Sequence, residues 1–159
     1  MPTAQASPLR SPPDLHAQPL RFLTAYWGVW QALSTRVGAG LDAHGLDLKG
    51  FIALSYVQGS PTSQADLARV LAVPKYEVTR ILDRLSDLGA ITRVADPENA
   101  RFRRLEVTPT GQALWAASLH AVSAVVTPAL DALGPRLEPL TATLESLAVL
   151  STSGPQETP

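Results

Sequence analysis

Two groups of cationic side chains, Lys75 with Arg80 and Arg101 with Arg103 and Arg104, stand where a polyanion could be met. The spacing of Val78, Ile81, Leu82 and Leu85 puts four apolar side chains on one helix face. At about 100° per residue the opposite face carries Tyr76, Arg80, Asp83 and Asp87, with Lys75 and Thr79 on its amino-terminal flank. Such a face has the equipment of a major-groove reader: arginine can bond guanine O6 and N7 together, and threonine can meet a thymine methyl. The same residues would also serve as the solvated side of an ordinary amphipathic helix. Arg101, Arg103 and Arg104 shift the balance, because a guanidinium at the tip of a hairpin can enter a narrow minor groove while its neighbours touch phosphate. A charged loop alone is usually only solvated; one that directly follows a helix-turn-helix is harder to obtain by accident.

Other chemistries lack their residues. There is no cysteine, so disulfides, thiolate metal sites, a nucleophilic thiol and a thiol redox sensor are excluded. His16, His44 and His120 have no spacing that places two on one helix face, so no metal site is expected. No nucleophile stands beside a base, no carboxylates are paired for acid–base work and no glycine-rich phosphate loop occurs, so neither an enzyme nor a cofactor is expected. Tyr26, Trp30, His44 and Trp115 are candidates for the border of an effector pocket, although aromatics at helical spacing more often pack in a core or interface.

The elements that hold these groups are mostly helical. Phe22, Leu23, Tyr26, Trp27, Val29, Trp30, Leu33 and Val37 recur at spacings of 3 and 4 and predict a helix from Leu20 to about Val37. Their two adjacent stripes are wider than one core contact needs, which suggests burial against a partner as well. A turn over residues 38–45 follows, and Asp47 opens a second helix to about Gln58. Gly59-Ser60-Pro61 is a turn. Ser63 with Asp66 forms a capping box for a short helix to about Leu71, and Pro74 is expected at the first position of the next, which stops at Gly89. Residues 91–94 and 102–107 read as a hairpin with a charged tip. Thr108 and Pro109 open a long helix to about Leu133, expected to kink near Pro128, and Gly134-Pro135 separates it from a last helix ending near Leu150. Residues 1–19 and 151–159, rich in proline and poor in apolar side chains, are expected to be flexible ends.

Of 159 residues, 45% are hydrophobic and 17% charged, with a net charge of -1, which fits one globular unit with a local positive spot on a neutral body. Apolar runs are expected to be broken by charge or proline short of the roughly 20 residues that span a bilayer, and a soluble, cytoplasmic protein is expected.

Residues 46–114 resemble the MarR family of winged helix-turn-helix regulators. The resemblance is carried by S-Q-A-D-L-A-R-V-L-A-V, V-T-R-I-L-D-R-L-S-D-L-G-A-I-T-R, the wing D-P-E-N-A-R and L-E-V-T-P-T-G. It implies a mainly α fold with a small β hairpin, in which residues 20–45 and 110–150 form dimerisation helices around a DNA-binding region at 46–109. It also implies a ligand-responsive repressor that reads a palindromic operator as a homodimer, with an aromatic or phenolic effector bound between the lobes. The expected DNA-contacting set is Ser63, Gln64, Lys75, Tyr76, Thr79, Arg80, Arg101, Arg103 and Arg104. Two residues depart from the pattern. Asn99 replaces the aspartate that would brace Arg101, with Ala100 where a second basic residue is common. Glu77 would either accept from cytosine N4 or repel phosphate. The competing reading is a winged-helix dimer that has lost DNA binding and acts as a protein-interaction adaptor, favoured by the low net charge, Glu77 and Asn99 and opposed by Arg80 and the wing arginines.

Overall fold

The computed structural model describes residues 18–99 and 103–152; Arg101, His16 and most of the two expected flexible ends lie outside them. Six α-helices and one hairpin follow in the order α1 (Leu20–Asp42), α2 (Leu48–Gly59), α3 (Gln64–Leu71), α4 (Lys75–Asp87), β1 (Ile91–Ala95), β2 (Arg103–Val107), α5 (Pro109–Leu133) and α6 (Leu137–Thr152), with a 3-10 turn at Gly134–Arg136 before α6. The fold is therefore the expected mainly α winged helix.

Local signals explain most boundaries. Asp47 Oδ1 accepts from Gly50 N at 2.7 Å and caps α2. Ser63 and Asp66 form the capping box of α3. Gly89 turns the chain at φ +66, a left-handed conformation that costs glycine nothing, and so stops the helix before it. Thr108 Oγ1 accepts from Gly111 N at 3.0 Å, and Pro109 follows as the first residue of α5.

Three expectations are corrected. α1 runs through Gly38 and Gly40 to Asp42, and the turn comes only at Gly45, with φ +72. The helical cost of a glycine, about 1 kcal/mol, is offset because the added turn buries Val37 and Leu41, and because Gly40 brings α1 close to α5: a Cβ there would lie 3.5 Å from Ala121 Cβ. Pro74 has extended backbone, φ -62 and ψ 154, and caps α4 from outside, so the helix begins at Lys75. The carboxy-terminal apolar stretch is also longer than expected. Pro109–Leu150 spans 42 residues and contains an 18-residue window of mean hydropathy 1.5, long and apolar enough by composition to cross a membrane, with 6% of that window buried. α5 carries Pro128 inside it, so proline there does not end the apolar run.

The core gathers Leu41, Leu46, Leu54, Leu67, Val78, Leu82, Leu85, Ala90 and Leu105, each almost fully buried. These residues come from α1, the turn after it, α2, α3, α4 and the hairpin, so one core fixes the helix-turn-helix against its wing. β1 and β2 pair antiparallel with Ile91 opposite Val107 and Ala95 opposite Arg103. Thr62, from the turn before α3, adds a one-residue third strand: Leu105 N donates to Thr62 O at 2.9 Å. Gly111 lets α5 start against the base of the hairpin, where a Cβ would stand 1.9 Å from Ala90 O.

Candidate nucleic-acid interface

α4 buries Val78, Ile81, Leu82 and Leu85 against the core and leaves Lys75, Tyr76, Thr79 and Arg80 exposed, as its periodicity predicts. Tyr76 is 67% exposed, a large aromatic that the described residues leave uncovered. The side chains of Lys75, Tyr76, Arg80 and Arg103 make no hydrogen bond or ion pair with another described residue. Their polar groups stand ready for an external partner.

The remaining candidates already have work within the chain. Ser63 Oγ donates to Asp66 Oδ2 at 2.6 Å and accepts from Asp66 N at 3.1 Å. The bond from the Ser63 hydroxyl, foremost, holds the Asp66 carboxyl below its ordinary value, with further help from Ser63 N and Arg69. Gln64 Nε2 donates to Thr79 Oγ1 at 2.9 Å, and that hydroxyl donates to Lys75 O at 3.1 Å, so α3 and α4 are stitched together beside the exposed face. Arg104 Nε donates to Asp96 Oδ2 at 2.8 Å. Asp96 also accepts from Glu98 N at 2.8 Å, and these bonds, the Glu98 amide foremost and the Arg104 guanidinium after it, lower its pKa. Arg104 thus ties the return strand of the wing to its outgoing loop. A carboxylate bracing the wing is present at Asp96, three positions before Asn99.

Glu77 is settled by a residue that sequence reasoning missed. It forms an ion pair with Lys49, in the first turn of α2, and its side chain is only 26% exposed. Its carboxylate is turned toward α2. A second tie runs from Arg84 Nε to Gly45 O at 2.9 Å. Glu77, Arg80 and Arg84 are spaced to share one helix side, so Arg80 lies between two anchors that fix α4 to the start of α2. Asp83 and Arg93 pair at 3.2 Å and join α4 to the wing. None of these partners was visible in sequence, because each bond joins residues far apart in the chain or across elements.

The candidate pocket residues separate into two pairs. Tyr26 and Trp30 line a cavity of about 440 Å3 framed by α1, α5 and α6 with Leu48 of α2. His44 and Trp115 do not border it. Trp115 packs on the core and donates through Nε1 to Ser55 Oγ at 3.0 Å; His44 is half-buried in the turn between α1 and α2. Among the described residues no three His, Cys, Asp or Glu side chains converge as a metal site.

Comparison with known proteins agrees with this geometry. The MarR family model matches residues 44–101. The HTH-type transcriptional repressor Rv2887 of Mycobacterium tuberculosis is 34% identical over 97 residues, which are 60% of this chain and 68% of the relative. Its crystal structure in complex with salicylic acid superposes with a TM-score of 0.63 at 30% identity, covering 83% of this chain and 98% of that one. A MarR family regulator from Rhodococcus shares the fold at a TM-score of 0.73 and 18% identity, covering 83% and 98%. With an exposed helix-turn-helix face, a braced wing and a relative of this identity over this span, the chain belongs to the MarR family of transcriptional regulators.

Proposed function

We propose that the protein is a cytoplasmic, homodimeric repressor that binds a palindromic operator and releases it in response to a small aromatic molecule. The observation that carries the DNA contact is the exposed face of α4, where Lys75, Tyr76 and Arg80 have no side-chain partner among the described residues while Glu77, Thr79, Asp83 and Arg84 beside them are each bonded within the chain. In this reading α4 enters the major groove, Arg80 bonds guanine, Thr79 offers its methyl, and Lys75 and Arg103 meet phosphate. Arg101 supplies the minor-groove contact. Ser63, Gln64 and Arg104 position the reading face through their bonds to Asp66, Thr79 and Asp96 and border the phosphates there.

Dimerisation through residues 20–45 and 110–150 is supported by exposed apolar side chains too numerous for a lone surface helix. Leu23, Trp27 and Val29 of α1 and Leu144, Val149 and Leu150 of α6 are each about half exposed or more. Exposed apolar side chains in that number on two helices support an interface. The same burial accounts for the apolar Pro109–Leu150 stretch without a membrane. Two-fold symmetry then sets half-sites about 10 bp apart. An aromatic effector is supported by the salicylic acid complex of the Mycobacterium tuberculosis relative.

The test is a gel shift with tiled DNA from upstream of the protein's own gene, followed by hydroxyl-radical footprinting and sedimentation of the free protein. A dimer that protects two symmetric segments about one helical turn apart is expected. A monomer, or no retained fragment, would overturn the reading.

A further inference from the structure

The amino-terminal half of α4 has few hydrogen-bond acceptors to spare. Glu77 is its one carboxylate, and Lys49 holds that group toward α2. Thr79 is exposed, yet its hydroxyl is committed: it donates to Lys75 O at 3.1 Å and accepts from Gln64 Nε2 at 2.9 Å. A hydroxyl has one proton and two lone pairs, so what Thr79 still offers is a single lone pair and its methyl. Tyr76, one turn earlier, is the exposed large hydrophobic side chain of α4. Residues three and four apart on a helix are neighbours, with Cβ atoms about 5–6 Å apart. The Tyr76 ring and the Thr79 methyl therefore form an apolar patch beside the Arg80 guanidinium, on a face otherwise read through donors.

We propose that Tyr76 and Thr79 together read the C5-methyl group of a thymine lying one or two base pairs from the guanine held by Arg80. The inference rests on the DNA-binding reading above and names bases of its operator. Among the groups that base pairs present in the major groove, the thymine methyl is the apolar one. Enclosing it between a ring and a second methyl removes apolar surface from water on both sides. The amino groups of adenine and cytosine need acceptors instead, and the carboxylate that would serve them is bound to Lys49. Successive bases of one strand rise about 3.4 Å along the axis, so neighbours about 5–6 Å apart on the helix span one or two steps. The competing role for Tyr76 is a hydroxyl contact to phosphate, in which base methyls count for nothing.

The experiment takes the full chain and the operator fragment retained in the gel shift above, made once with thymine and once with deoxyuridine throughout. The two duplexes differ only in the C5-methyl groups of the major groove. A buried methyl is worth about fourfold, so two half-sites should make the thymine duplex about 15-fold tighter by anisotropy. Equal affinity for the two overturns the proposal and leaves the repressor reading standing; a protein that retains no fragment at all overturns both. Thr79→Ser removes the methyl and keeps the hydroxyl for Gln64 and Lys75 O, while Tyr76→Ala removes the ring. Each variant, checked for folding by circular dichroism, should cut the preference for thymine to about fourfold or less, as one of two enclosing groups is lost. A full preference in either folded variant overturns that residue's part. Tyr76→Phe should bind both duplexes as the parent does; an equal loss on both assigns Tyr76 to phosphate and overturns the reading of its ring.

Discussion

Replacing Arg80 with alanine isolates the proposed base contact from the stability of the fold. The Arg80 side chain is exposed and makes no bond with another described residue, whereas its neighbours Glu77 and Arg84 are anchored to Lys49 and Gly45. Removing it therefore leaves the core of Val78, Leu82 and Leu85 untouched, and surface substitutions of this kind change stability by about 0.5 kcal/mol or less. A bidentate arginine–guanine contact is worth about 1 to 3 kcal/mol of discrimination. Two half-sites double that to roughly 2 to 6 kcal/mol, and at about 1.4 kcal/mol per tenfold the operator affinity should fall by about 30-fold to 20,000-fold. Fluorescence anisotropy at one fixed salt concentration, on the operator and on a scrambled duplex, reads the effect. The variant should lose its preference between the two while its melting temperature holds. Parental affinity and preference, in a protein that still melts as the parent does, would refute the placement of α4 in the groove.

Three further outcomes follow from the same geometry. Glu77→Gln should leave base preference unchanged, because the carboxylate is held by Lys49; a double-mutant cycle with Lys49→Ala should return about 0.2 to 1 kcal/mol of coupling, as exposed pairs do. A changed preference at one base pair in an operator panel would make Glu77 a reader. Asp96→Asn should weaken DNA binding through a loosened wing and also flatten the acid limb of stability. Asp96 has a folded pKa below its ordinary 3.8, so its contribution is fully present above that value and is lost as pH falls through the lower folded one; thermal melts from pH 5 to pH 2 compare the two proteins. Gly111→Ala should destabilise by about 1 to 3 kcal/mol, since the new Cβ meets the Ala90 carbonyl. Urea unfolding with an unchanged midpoint would contradict that close approach.

What could be read from sequence was what neighbouring residues decide. The capping box at Ser63 and Asp66, the cap and proline at Thr108 and Pro109, and the stop at Gly89 each depend on a few consecutive side chains, and each stands in the structure as expected. The face of α4 was legible for the same reason, since a 3.6-residue period separates Arg80 from Leu82. The extent of α1 was not, because burial of Leu41 against distant helices outweighs two glycines. The bonds of Lys49 to Glu77, Arg84 to Gly45 and Arg104 to Asp96 span 28, 39 and 8 residues, and only the packed fold or the hairpin register brings them together. The same holds for the cavity: Tyr26 and Trp30 of α1 reach it, whereas Trp115 of α5 turns instead to Ser55.

The proposed contact is one in which exposed cations on α4 and the wing neutralise phosphates of an operator duplex. Its most direct test is the slope of operator affinity against salt on logarithmic axes. A steep decline is expected, about 0.9 per neutralised phosphate, becoming shallower by about that amount per half-site when Arg103 is changed to alanine. A flat line, with the protein folded and dimeric throughout, would contradict it.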